Sequence, residues 1–90
     1  MFYELKYFKK SGLLVIHDED FNNRNKVVIL NLEHVISISD KQEYWRGSDH
    51  VGDYHYIVIS NGDIYFVSNE SYLELTDLLR LKGNVLKLNL

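Results

Sequence analysis

Ninety residues with a formal net charge of −3, 46% hydrophobic and 26% charged, describe one small domain spanning 1–90, with a single modest core. The chain has no Cys, Pro or Ala, which excludes a disulfide framework, a thiolate nucleophile and a Cys-type zinc site. Thirteen acids against ten bases, with no basic run longer than Lys9-Lys10, give little attraction for a polyanion and disfavour nucleic acid as a partner.

Val, Ile, Tyr and Phe supply 26 residues (8, 7, 7 and 4), so the composition favours strands. Phe2–Phe8 alternates, with Tyr3, Leu5 and Tyr7 on one side and Glu4 and Lys6 on the other. Lys9-Lys10-Ser11-Gly12 breaks that pattern, and Leu13–His17 reads as the returning strand. The polar run 18–26 reads as an exposed loop. Val27–Leu30 and Val35–Ser39 are the next two strands, with Asn31-Leu32-Glu33-His34 as a local turn between them. In the second of these, Ile36 and Ile38 alternate with Ser37 and Ser39.

Residues 40–53 show no sustained periodicity and contain two glycines, so they read as a long loop of the kind kept for function. Then comes the clearest signal, Tyr54–Ser60, Asn61-Gly62 and Asp63–Ser68, a hairpin closed by a two-residue type I′ turn. That turn pairs Ile59 with Ile64, Val58 with Tyr65 and Ile57 with Phe66. Both faces of the hairpin are apolar, so it must be covered twice. Ser71 and Glu74 match a capping box for a helix over about 70–82, with Ser68 or Asn69 as alternative caps and Gly83 as its C-terminal stop. Tyr72, Leu75 and Leu78 or Leu79 form its buried face. Val85–Leu90 alternates as a final strand, whose leucine row offers a pairing edge to a second copy. The expected class is α+β: six or seven antiparallel strands in a curled sheet or partial barrel, with one helix near the C-terminus.

The candidate chemistry is sparse. His17-Asp18-Glu19-Asp20 holds acids without the spacing of a calcium loop and reads as a solvated turn. Asp49, His50, Asp53 and His55 are the metal candidates, but no helical i, i+4 pair fixes them, and the plain reading places His50 in a loop and His55 at a strand end facing Ser68. No nucleophile elbow or phosphate loop occurs, so neither an enzyme nor a cofactor is expected. Tyr44-Trp45-Arg46 differs, because these residue types dominate binding hot spots and lie together in the longest irregular segment. Trp45 either meets a partner or plugs the open end of the sheet. Tyr54, Tyr56 and Tyr65 form a second candidate, a tyrosine face ringed by Asp49, Asp53 and Asp63 rather than by bases, which suits protein contact better than single-stranded nucleic acid.

From Val27 to Leu79 the order Asn31-Leu32-Glu33-His34-Val35-Ile36-Ser37-Ile38, the Asn61-Gly62 hairpin, Tyr65, Val67, Glu70-Ser71 and a Leu-rich helix is similar to small FlbD-like flagellar proteins. It also resembles the first half of LytTR-type DNA-binding domains, which implies a topology. The basic segment that follows the helix in LytTR domains has no counterpart in 84–90, where Lys87 is the one base. The function expected is a non-enzymatic protein-binding module acting on another protein or a second copy, one specific case being a phage or mobile-element inhibitor of a host protein. The alternatives are a nucleic-acid-binding regulator of LytTR-like topology and a small metal-dependent activity. No apolar run approaches the roughly 20 residues of a membrane span and no basic leader opens the chain, so the expected location is cytoplasmic.

Overall fold

The computed structural model describes residues 1–12, 15–22, 26–81 and 88–89. The fold is mostly antiparallel β with one helix near the C-terminus. The strands are β1 (Phe2–Tyr7), β2 (Lys9–Ser11), β3 (Lys26–Asn31), β4 (Val35–Ser39), β5 (Gln42–Arg46), β6 (Asp49–Ile59), β7 (Ile64–Val67) and β8 (Leu88–Asn89), and the helix is α1 (Asn69–Leu81). β1 and β3 form a two-stranded sheet; β2, β7, β6, β4 and β8 lie in that order in a second sheet, and β5 pairs with β6. No described helix is long and apolar enough to cross a membrane.

The alternation read in β1 holds: Leu5 is buried, Tyr3 and Tyr7 are half-buried, and Glu4 and Lys6 are exposed. The second strand is not where the sequence suggested. Lys9–Ser11 pairs with β7, and residues 15–17 form no strand; Leu13 and Leu14 lie outside the described residues. Phe8 is the reason, since it is buried and kinks the chain so that its N–H donates to the Phe66 carbonyl at 3.0 Å. The run after it is also more than an exposed loop. Asp18–Asn22 is a 3-10 turn that inserts Phe21, only 7% exposed, into the core.

The Asn61-Gly62 hairpin forms, but one residue out of the predicted register: Val58 faces Ile64, Ile57 faces Tyr65 and Tyr56 faces Phe66. The cause is local. A type I′ turn needs positive φ at both central residues, and Asn61 has none, whereas Gly62 does at 92°. The chain takes a three-residue loop instead, with Gly62 N–H donating to the Ile59 carbonyl at 2.9 Å and Ile59 N–H to the Asp63 carbonyl at 3.1 Å. That geometry is a type I turn closed by a glycine bulge. The shift moves Tyr65 and Val67 to the side of Ile57 and Ile59, and puts Phe66 and Ile64 with Tyr56.

Both faces of the hairpin are covered from within the chain. Ile57, Ile59, Tyr65 and Val67 pack with Leu5 and Leu30 of the β1–β3 sheet and with Leu75 and Leu79 of α1. Phe66 on the other face joins Phe8 and Phe21, flanked by Tyr44, Tyr54 and Tyr56. The helix starts at Asn69 with Ser68 as its cap: the Ser71 N–H donates to Ser68 Oγ at 3.2 Å and the Tyr72 N–H to the Ser68 carbonyl at 3.0 Å. The Ser71–Glu74 box is therefore one turn too late. Gly83 lies outside the described residues. A bulge between Val35 and Ser37 turns Ile36 outward, against its predicted alternation, while Ile38 is fully buried. Leu88–Asn89 pairs parallel with β4 of the same chain, and the rest of the predicted 85–90 strand lies outside the described residues.

Candidate functional site: a protruding hairpin with an exposed tryptophan

The segment 40–53, expected to be irregular, is the largest correction. It forms β5, a turn at Gly47-Ser48 and the first half of β6, with pairs from Gln42↔Tyr54 to Arg46↔Asp49. β4 and β5 run along the same strand in succession, broken at Asp40-Lys41. At the break Ser39 replaces the backbone ladder: its Oγ accepts the Tyr56 N–H at 2.9 Å and donates to the Asp40 carbonyl at 2.9 Å. From Asp49 to Gly52, β6 has β5 as its one strand partner among the described residues, so the hairpin carries the sheet about 20 Å past His55 at a strand rise of about 3.3 Å per residue. The molecule is correspondingly long, 41 × 23 × 21 Å.

The hairpin has two different faces. On the inner one, Tyr44 stacks on Phe21 with centroids 5.5 Å apart, and Phe21 in turn stacks on Phe8 at 5.1 Å. Gly52 makes this possible, because a Cβ there would sit 2.6 Å from the Phe21 ring. The acidic run fixes the same face from outside. Asp18 forms an ion pair with Arg46 and accepts a hydrogen bond from the Tyr44 hydroxyl, which with desolvation pushes that phenol above its ordinary range. Asp20 pairs with Lys9 at 3.2 Å and accepts the His17 N–H at 2.7 Å. The run expected to be a solvated turn is thus the clamp of the hairpin.

The outer face carries Glu43, Trp45, His50 and Asp53 in cross-strand positions, brought together by a bulge between Tyr44 and Trp45. Trp45 is 51% exposed, so it does not plug the sheet. It is nonetheless held: its Nε1–H donates to Glu43 Oε1 at 3.0 Å and its ring meets His50 at 5.1 Å. His50 Nε2–H donates to Asp53 Oδ1 at 2.7 Å.

The remaining candidates separate. His55 leaves the proposed metal set because it is buried beneath the start of α1, with both ring nitrogens already engaged. It is 2% exposed, faces Val67 rather than Ser68 across the ladder, and donates from Nδ1 to the Ser39 carbonyl at 3.1 Å. Its Nε2 meets the side-chain amide of Asn69 at 2.9 Å, and Tyr72 stacks on it with centroids 3.7 Å apart. Asp49 is exposed beside Arg46, and no group of three His, Cys, Asp or Glu among the described residues is arranged to hold a metal ion. The tyrosine face is split by the register shift: Tyr54 and Tyr56 are half-buried in the Phe66 cluster, and Tyr65 is buried on the other side, edge-on to Tyr7.

Phe21 and Gly52 were not legible as site residues, since one sits in a polar run and the other in a segment without alternation. The signal that could have found the hairpin is Gly47-Ser48 between Glu-Tyr-Trp-Arg and Asp-His-Val, a glycine turn flanked by strand-forming residues. No protein-family model, curated protein or solved structure matches this chain.

Proposed function

We propose that the chain is a non-enzymatic, cytoplasmic protein-binding module that engages its partner through the tip of the β5–β6 hairpin. The observation that carries this is Trp45: a large aromatic, half exposed, yet already oriented by Glu43 and His50 on a hairpin clamped to the body. A preoriented tryptophan loses little side-chain freedom on binding, which is the property that makes such residues hot spots. Arg46 is spent on Asp18, so Trp45 is the main anchor and Arg46 a support; Tyr44 acts from beneath. Lys9, Lys10, Arg46 and Arg80 each stand beside an aspartate, which weighs against the nucleic-acid alternative.

Capture from host cell extract with wild-type and Trp45→Ala bait tests the reading. A partner retained by the wild type and lost with a folded Trp45→Ala chain supports it, and equal capture by both sinks it.

Self-association is a second reading with its own observation. The outer face of β1–β3 exposes Phe2 (70%), Ile29 (62%) and Val27 on adjacent strands. Sedimentation of the wild type against Ile29→Lys decides it.

A further inference from the structure

We propose that the outer face of the β1–β3 sheet is a two-fold contact between two copies of this chain, in which Glu4 meets Lys6 of the partner subunit and Ile29 packs on Val27 of the partner subunit. The inference rests on the self-association reading and adds its geometry. β1 alternates, so Phe2, Glu4 and Lys6 stand outward while Leu5 is buried on the other side. The register of β3 sets Asn31 beside Phe2, Ile29 beside Glu4 and Val27 beside Lys6. The inner face of the same two strands already packs into the core through Leu5 and Leu30. The outer face leaves Phe2, Ile29 and Val27 exposed, which are residue types that stabilise a sheet by being packed.

The order of charges on this face selects a second copy as its occupant. Glu4 and Lys6 stand about 7 Å apart along one strand. Neither has an ion-pair partner among the described residues, whereas Lys9, Lys10 and Arg46 each have one. Any apolar contact over Ile29 and Val27 brings both charges to the interface, where a charge left unpaired is costly. A surface of one sign satisfies one of them and repels the other. The same face satisfies both when it is turned about a two-fold axis that lies in the contact and crosses the strands at the Leu5↔Val28 pair. That single operation opposes acid to base and Ile29 to Val27, so each contact occurs twice. Packed face to face, two such sheets interdigitate their side chains as the halves of a sandwich do. Two strands of six residues give a contact of about 20 by 10 Å. This is at the small end of specific interfaces, so the dimer is weak and concentration-dependent.

The test is sedimentation equilibrium of the full chain from about 10 to about 500 μM, with circular dichroism showing that each variant is folded. The wild type is expected to dimerise. Glu4→Lys and Lys6→Glu are each expected to weaken the dimer by about tenfold or more, because the two-fold repeats both the lost pair and the new repulsion. An equimolar mixture of the Glu4→Lys chain with the Lys6→Glu chain is expected to recover the wild-type dissociation constant, as is the double variant Glu4→Lys/Lys6→Glu. Trp45→Ala dimerises like the wild type. A dimer that is lost in Ile29→Lys but indifferent to the single charge variants overturns this arrangement and leaves the self-association reading standing, and so does a mixture that fails to recover. A wild type that is still monomeric at about 500 μM overturns both and leaves the face to a different partner.

Discussion

Replacing Gly52 by Ala tests how the hairpin is fastened to the body. A strand glycine in open space gains about 0.5–1 kcal/mol on mutation to Ala, because the unfolded chain loses freedom. Here the added Cβ falls 2.6 Å from two atoms of the Phe21 ring, about an ångström inside normal contact. The ring cannot easily retreat: it lies against Phe8 at 5.1 Å and Tyr44 at 5.5 Å and is buried. Overpacking of this kind costs about 1–3 kcal/mol. The clash outweighs the entropic gain, leaving a net loss of about 1–2 kcal/mol, or a fall in Tm of about 5–15 °C for a domain of this size. Thermal denaturation followed by circular dichroism reads it. In a double-mutant cycle with Phe21→Leu, the pair costs less than the sum of the two singles by about 1 kcal/mol. A Gly52→Ala variant that melts at or above the wild type would refute the seating of Phe21 on Gly52, and with it the clamp.

The two central histidines give opposite results. His55→Ala opens a cavity against Tyr72 and strands the Ser39 carbonyl, costing about 2–4 kcal/mol, whereas His50→Ala changes stability by about 0.5 kcal/mol or less, as urea titrations of both check. In the Asn61-Gly62 turn, Gly62→Ala costs about 1–2 kcal/mol because of its φ of 92°, while Asn61→Ala, at a residue without positive φ, costs about 0.5–1 kcal/mol through its lost hydrogen bond to the Asp63 N–H. A type I′ turn would strain both variants. Burial first, then the Glu74 hydrogen bond, raises the Tyr3 hydroxyl far above its ordinary value, and burial also raises Tyr54 and Tyr65. The native state then keeps protons that the unfolded chain releases, so this stability is full below about pH 10 and is lost as the pH rises beyond it. Melting curves from pH 8 to 12 check this, with a shallower alkaline fall expected in Tyr3→Phe.

The parts of the fold legible in the sequence are those where side-chain alternation coincides with burial. β1, the turn at Asn31–His34, the helix and the two-sided hairpin all follow from local pattern, and the inference that this hairpin needs two covers holds. Register did not follow, because Asn-Gly suits both a type I′ turn and a type I turn with a glycine bulge, and the pattern is apolar on both faces in either case. β5 was hidden because Gln42–Arg46 is polar or aromatic on both sides; it is a strand because β6 pairs with it and Phe21 supports its inner face. β2 was hidden by Lys9 and Lys10, which are edge-compatible residues that read as a break when taken alone. At the candidate site the residue types of Tyr44-Trp45-Arg46 were legible, but their division into a half-buried supporting ring, an exposed ring and an ion pair depends on Asp18 and Phe21, more than 20 positions earlier.

The claim that Trp45 is a presented surface is tested most directly by its own fluorescence, which is unambiguous because the chain has one tryptophan. In the free, folded protein the emission is red-shifted and fully quenched by acrylamide with a linear dependence, and Trp45→Ala shifts stability by about 1 kcal/mol or less, as for an exposed side chain. A blue-shifted, poorly quenched emission, or a large loss of stability in Trp45→Ala, would contradict it.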